Sequence, residues 1–256
     1  MAFHYTSFED AQARRGWRMV VVSGIPSPWS EAAKGILHVK DIPWTAVRLD
    51  YQSEPLKQWA RERNAPVAVF DDERPRAGWA EILLLAERVQ PSPALVPAAA
   101  ADRALAFGLA HEICGEQGLG WTRRLQLVHA GLQGQGGFAE PVARYLAKKY
   151  GYTDALGSAA TQRLAAILGL LAARLHASRA AGSQYYVGDA LSLVDIYSAT
   201  FMAMLRPLAE DVCAMDAATR AAFATRDAQT TAALDPVLFA HRDLIYREHL
   251  ELPLAL

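Results

Sequence analysis

The tetrapeptide Ser27-Pro28-Trp29-Ser30 follows a continuous apolar run, Met19 to Val22, and opens a segment with apolar residues at helical spacing. A strand-to-helix turn of this kind offers free backbone N–H groups and the positive end of a helix dipole, which favour an anion or a thiolate. Ser27 is the candidate catalytic residue: a hydroxyl here can donate to a sulfur and favour thiolate over thiol. The plainer alternative is a loop serine, because Ser-Pro is common in turns. Ser30 reads as the helix N-cap, the commoner use of serine at such a place. With serine at both positions dithiol exchange is disfavoured, since a hydroxyl cannot form a mixed disulfide.

A second group gathers Phe107, His111, Ile113, Cys114, Trp121, Arg123 and Arg124 around Gly115, Gly118 and Gly120. Metal ligands on a helix should share a face at i, i+3 or i+4, and of His111, Glu112 and Cys114 only His111 with Cys114 does so; no metal site is expected. His111 reads as a core histidine satisfied by a backbone carbonyl, with a ligand or acid/base role as the alternative. Arg74 and Arg76 lie in a mixed charge run that reads as a solvated turn; the alternative is a guanidinium that binds a ligand carboxylate. Gly131 to Gly137 lacks Gly-Lys-Ser/Thr and follows no strand, which excludes a phosphate loop. Ser192 and Asp195 have capping-box spacing, flanked by Leu191 and Ile196 as a hydrophobic staple.

These residues need two kinds of scaffold. Nine of the 13 prolines lie in residues 1–97, so short elements and turns are expected there, and long helices later. Met19 to Val22, Trp44 to Leu49 and Pro66 to Phe70 read as strands. Ser30 to Lys40, Glu54 to Arg63 and Gly78 to Val89 read as helices, giving a βαβαβ order, with room for one more short strand, and then α. Pro91, Pro93 and Pro97 mark a linker. Beyond it Leu164, Ile167, Leu168, Leu171 and Leu175 form the stripe of a core-facing helix, and the region reads as all-α.

The chain has 256 residues, 52% hydrophobic, with 26 Lys+Arg against 27 Asp+Glu. That balance offers no bulk attraction to nucleic acid or anionic lipid. Two cysteines are too few for a disulfide framework and imply a reducing, cytoplasmic setting. The longest apolar run, Leu164 to Ala173, is shorter than the roughly 20 residues of a membrane span, and residues 1–16 lack the apolar core of a secretory signal.

A proline-rich α/β domain followed by an all-α domain resembles the glutathione transferase family. Ser27-Pro28-Trp29-Ser30 is similar to the Cys-Pro-x-Cys of glutaredoxins and the Cys-Pro-aromatic of omega-class transferases, with serine for cysteine; Ser27 falls where zeta-class enzymes have their active serine. Lys34 stands where an arginine is usual. Ala65-Pro66 resembles the family's Val-Pro, whose proline is cis, and would let Ala65 pair with glutathione as an added strand does. Tyr186-Val187-Gly188-Asp189-Ala190-Leu191-Ser192-Leu193-Val194-Asp195-Ile196 is similar to the family's longest motif, with Val194 where alanine is usual.

The resemblance implies an α/β thioredoxin-like N-terminal domain with an all-α C-terminal domain. The expected division is an extension (1–16), a thioredoxin-like glutathione-binding domain (17–90), a linker (91–97), a helical domain (98–235) and a tail (236–256). It implies a cytoplasmic homodimer that transfers glutathione, its co-substrate, to a small electrophile, with no nucleic-acid or membrane partner. Ser27 would be catalytic; Pro28, Trp29, Ala65, Pro66, Arg76 and Trp79 would hold glutathione; Phe107, His111, Trp121 and Arg124 would line the second-substrate pocket. One departure is large. The family starts its third helix with Glu-Ser, which holds the γ-glutamyl end, and this chain has Gly78-Trp79. A non-catalytic or glutathione-independent small-molecule-binding protein of the same fold is therefore the alternative function.

Overall fold

Four strands form one sheet in the computed structural model, which describes residues 4–224 and 226–256. In chain order the first elements are β1 (Tyr5–Thr6), α1 (Phe8–Ala13), β2 (Trp17–Val21), α2 (Pro28–Val39), β3 (Trp44–Arg48), α3 (Glu54–Ala60), β4 (Val67–Phe70) and α4 (Trp79–Val89). The strand order is β1-β3-β2-β4, with β4 antiparallel to β2 and the other pairs parallel. All five residues of β2 are buried, as its unbroken apolar run requires of a strand covered on both faces.

Several boundaries move for local reasons. Helix α2 begins at Pro28, whose fixed φ and missing N–H suit the first helical position, so Ser27 is its N-cap and Ser30 lies inside it. The expected capping role of Ser30 is thereby corrected. Helix α3 stops at Ala60 because Arg61 takes a left-handed φ of 58°. The further short strand shrinks to one bridge, in which Arg76 and Ala68 exchange backbone bonds of 2.9 Å.

Of residues 1–16, expected as an extension, the first three lie outside the described residues and the rest contribute to the sheet. Tyr5 and Thr6 pair with Ala46 and Val47, and Ala11 of α1 packs with Val20, Val47, Leu56, Ala60 and Val67. A two-residue strand and a six-residue helix are too short to show a period.

The rest is helical: α5 (Ala100–Cys114), α6 (Leu119–Leu132), α7 (Glu140–Lys149), α8 (Asp154–Ala180), α9 (Leu193–Met202), α10 (Ala217–Ala224), α11 (Ala228–Ala232) and α12 (Pro236–His249). The stripe Leu164, Ile167, Leu168, Leu171 and Leu175 on α8 is buried. By length and composition α8 is long and apolar enough to cross a membrane, a feature that the shorter uninterrupted run conceals. In the fold that stripe belongs to the core shared with α6.

Helix α9 is buried at every position, so its start must be satisfied internally. The Asp195 carboxylate accepts from the Ser192 N–H at 2.8 Å, the Ser192 hydroxyl at 2.8 Å and the Tyr186 N–H at 3.0 Å, and His241 Nε2 lies 3.1 Å away. His241 belongs to α12, so residues 236–249, set aside as tail by sequence, are a structural helix. The segment after it crosses back to α2, where Lys34 Nζ donates to the Ala255 carbonyl at 2.7 Å.

The linker is held on both sides. Fully buried Lys40 reaches Glu87 at 2.6 Å and donates to the Gln90 and Pro93 carbonyls at 2.8 Å, while the Leu193 N–H donates to the Leu95 carbonyl at 2.9 Å. One hydrophobic core then runs from β2, α2 and α4 through α5, α8 and α9. The site between the two halves is built on rigid packing.

Candidate functional site

A cleft of about 600 Å³ opens between the sheet domain and the helices, within the size range of small-molecule sites. Ser27, Trp29, Ala65, Pro66, Trp79, His111, Trp121 and Arg124 all line it. Pro28, Arg76 and Phe107 are not among the lining residues.

Ser27 is 7% exposed and caps α2 by position only: its hydroxyl makes no capping bond, although Ser7, Ser53 and Thr153 each accept an N–H at the start of their own helices. The hydroxyl therefore stays available at the cleft wall, at the end of α2 where the dipole favours negative charge. Three residues on, Ser30 is fully buried and its Oγ has no hydrogen-bond partner among the described residues.

Trp29 is fixed from the helical side. Its indole N–H donates to the Cys114 carbonyl at 2.9 Å, and its ring meets Phe201 edge-on at 4.8 Å. A Cβ on Gly120 would lie 2.8 Å from this indole and closer still to Phe201, so only glycine admits the approach. Opposite, the Ala65–Pro66 peptide is cis, as the resemblance implies. Ala65 is buried just ahead of β4 and makes no backbone hydrogen bond within the described residues. Buried main-chain groups of this kind call for a partner, and an extended peptide would supply one.

The start of α4 is arranged differently. Glu81 reaches back to the Gly78 N–H at 3.3 Å and pairs with Arg74 at 2.8 Å; the Arg74 hydrogen bond holds its carboxyl below the usual range. Trp79 turns into the domain interface, edge-on to Tyr197 at 5.5 Å and tilted against Phe107 at 6.1 Å, and its carbonyl accepts the Tyr197 hydroxyl at 3.0 Å. Phe107 thus supports the cleft wall from behind. Arg76, expected at the ligand carboxylate, is paired with Glu73 at 2.7 Å, a carboxylate that also takes Arg88.

His111 is exposed on the cleft rather than in the core, packed so closely over Gly115 that a Cβ there would collide with its ring. Its helical neighbour Cys114 is buried and donates its thiol to the Ala110 carbonyl; burial pushes that thiol well up, which suits packing rather than reaction. No three His, Cys, Asp or Glu residues among those described form a metal-binding group.

Apart from Trp121, the far wall comes from residues that carried no sequence signal. Tyr51, in the loop before α3, meets Tyr145 of α7 edge-on at 6.2 Å; Trp121 meets Tyr150 at 4.8 Å. Phe138, Val142, Leu146 and Phe223 add apolar surface, and Lys149 bridges back to Asn64 Oδ1 at 3.0 Å. Helix α7 looks like a solvated amphipathic helix in sequence, and only its position makes its rim residues part of a cleft. The glycine-rich turn before it has φ of 67°, 86° and 75° at Gly134, Gly136 and Gly137, a chain reversal that brings Phe138 back over α6.

Residues 139–223 match the family model described as glutathione S-transferase, C-terminal domain. No curated protein matches the chain in sequence. Among solved structures, glutathione transferase Omega 3C from Trametes versicolor is 14% identical, covers 94% of this chain and 89% of its own, and superposes with a TM-score of 0.58. A rice glutathione S-transferase in complex with glutathione is 18% identical over 94% of each chain, TM-score 0.58. Maleyl pyruvate isomerase, a bacterial zeta-class glutathione S-transferase, is 17% identical over 88% of this chain and 95% of that one, TM-score 0.54. At such identities the structural likeness carries the fold, and the matched helical segment adds a sequence signature. The chain has the glutathione S-transferase fold, a thioredoxin-like sheet domain followed by an all-helical second domain, and residues 139–223 carry the sequence signature of that family's C-terminal domain.

Proposed function

We propose that this protein is a glutathione transferase that activates the thiol of glutathione in the cleft and directs it at a small electrophile with a hydrophobic body. The observation that carries this reading is the Ser27 hydroxyl, unused in capping its own helix and facing the cleft. Ala65 supports it by offering unpaired main-chain groups to a peptide backbone on the opposite wall.

In the reaction Ser27 Oγ–H donates to the glutathione sulfur. This donation and the α2 dipole favour the thiolate, whose proton leaves to solvent. The thiolate electron pair then forms the C–S bond, and the electrons of the acceptor carbon depart on its leaving group or pass along a conjugated system that takes a proton from water. Trp29 and Trp121 keep bulk water from the reacting atoms. The assembly is read as a cytoplasmic homodimer, as the family resemblance implies.

Titrating the thiolate absorbance of bound glutathione tests the reading. Ser27→Ala should move its appearance to higher pH and lower turnover, and unchanged titration in the variant would refute the role given to Ser27.

A second reading has its own observation. Where the γ-glutamyl carboxylate would meet the first turn of α4, Glu81 already occupies the Gly78 N–H, and Trp79 replaces a small polar side chain. On this reading the protein binds a different small molecule in the same cleft. Calorimetric titration of native protein with glutathione separates the two: micromolar affinity supports the transferase, and absence of binding supports the alternative.

A further inference from the structure

Among the described arginines that are not exposed, Arg18, Arg76, Arg123, Arg174, Arg220 and Arg242 each donate to a carbonyl, amide or carboxylate oxygen. Arg124 is the exception. It lines the cleft, its Nε is buried without a hydrogen-bond acceptor among the described residues, and its guanidinium lies beside the rings of Phe138 and Phe223, at 5.8 and 6.0 Å. Close by on the rim, Lys149 has one neutral partner, the Asn64 side chain, and no carboxylate within ion-pair distance among the described residues. A partly buried cation without a counter-charge is costly, and an anion in the cleft would offset that cost.

The rest of the lining agrees. Glu116 is the sole acid among the described lining residues, against Arg124, Lys149 and His111. Partial desolvation, with the Arg124 charge adding to it, holds the Lys149 ammonium below its ordinary range, as expected for two cations near each other on one wall. Around them the surface is aromatic, and Tyr51 and Tyr145 stay 40% and 52% exposed at the mouth, a large apolar area to leave facing water.

We propose that the second-substrate end of the cleft is built for an amphipathic acid, with Arg124 and Lys149 pairing the carboxylate and Trp121, Phe138 and Tyr145 holding its apolar body. The proposal deepens the transferase reading by naming the substrate class, and it rests on that reading only for the statement that the acid is the acceptor of glutathione. An unsaturated or aryl carboxylic acid has the required shape: a charged end held at α6 and α7, and a reactive carbon extended toward Ser27. Fork geometry at Arg124 would fix the direction in which it enters.

The test needs no glutathione. Binding of trans-cinnamate and of its neutral methyl ester is followed through the tryptophan fluorescence of the full chain, since Trp29, Trp79 and Trp121 line the cleft. Native protein should prefer the acid by about ten- to a hundredfold, the range of a charge-assisted hydrogen bond. Arg124→Gln with Lys149→Gln should abolish the preference and leave ester affinity unchanged, which also shows that the variant is folded. Equal affinity of native protein for acid and ester would overturn the proposal, as would a preference that survives both substitutions. Glutathione titration of the same variant separates the remaining case: if glutathione affinity falls while the cinnamate preference persists, the two cations serve a carboxylate of glutathione instead. Failure of the transferase reading, seen as absent glutathione binding to native protein, leaves the acid-over-ester comparison intact.

Discussion

Two helices of this protein begin with serine in opposite ways. At the start of α9, Ser192 and Asp195 turn their polar groups on each other and on Tyr186, and the whole arrangement is buried. At the start of α2, Ser27 holds the N-cap position and leaves its hydroxyl to the cleft. The first arrangement gains the roughly 1 kcal/mol of a cap and the packing of a buried network; the second forgoes it. A helix start that closes on itself is part of the scaffold, and one kept open on a cavity is part of the site.

The closed start should be the most sensitive to damage. Asp195→Ala leaves the Ser192 and Tyr186 N–H groups buried without an acceptor, and about 3–5 kcal/mol of stability should be lost, the scale of breaking a buried polar network. Chemical denaturation followed by circular dichroism measures it. Ser192→Ala should cost about 1 kcal/mol, because the backbone bond to Asp195 survives. Equal losses in the two variants would mean that the hydroxyl, rather than the carboxylate, organises this turn.

At the open start the expectation is reversed. Ser27→Ala should lower turnover by about a hundredfold, the effect of removing one donor to a developing anion, and change stability by less than about 0.5 kcal/mol because no capping bond disappears. Ser53 is the control: its Oγ accepts the Leu56 N–H at 3.2 Å, so Ser53→Ala should lose about 1 kcal/mol and keep full turnover. A Ser27→Ala protein that melts early yet still turns over would erase the distinction between the two kinds of start.

Helix α4 lies between these cases, because its first turn faces the cleft yet is closed by Glu81. Removing that closure should open it: Gly78→Glu with Trp79→Ser, which restores the family's pair, should strengthen glutathione binding by about tenfold, as one charge-assisted hydrogen bond would. Calorimetry reads the change. If native protein already binds tightly and the double variant adds nothing, the γ-glutamyl end is held by main-chain groups and Glu81 is no obstacle.

How far the sequence reaches follows the same contrast. Features repeated over many residues were legible: the valine-rich run of β2, the five-residue stripe of α8, and the Ser192–Asp195 spacing, each of which depends on local periodicity or local hydrogen bonding. Ser27, Ala65, Trp79 and Arg124 were reached through resemblance and short-range spacing, and the structure brings them to one cleft. Tyr51, Asn64, Tyr145 and Lys149 were not legible, because a rim residue on a polar helix or loop has the same sequence pattern as a solvated one until the partner wall is in place. Ser30 was misread for a smaller reason, since Pro28 suits the first helical position and shifts the cap to Ser27. Arg76 pairs with Glu73, as its place in a mixed charge run suggests, rather than taking the ligand carboxylate that the resemblance implies.

The smallest expected effect concerns the second buried carboxylate near a helix start. Asp195 in α9 accepts three hydrogen bonds, whereas Glu31 in the first turns of α2 is 6% exposed and has Lys34 at 2.7 Å as its ion-pair partner. Desolvation raises the Glu31 pKa above 4.5, with Lys34 opposing the shift. A raised carboxyl pKa means that the folded chain binds more protons than the unfolded one between 4.5 and the folded value. The stability owed to protonated Glu31 is therefore complete below pH 4.5 and is lost as pH rises through the folded pKa. Glu31→Gln removes that slope, while Lys34 keeps its bond to the Ala255 carbonyl. Relative to native protein the variant should gain about 1 kcal/mol as pH is raised from 4.5 toward 7, the net size of a single hydrogen bond. Its turnover should stay unchanged, since Glu31 lines the opposite cavity with Lys34 and Tyr246. A stability difference between the two proteins that is flat with pH would show that Lys34 compensates Glu31 as fully as the three donors compensate Asp195, and the two helix starts would then differ only in where they face.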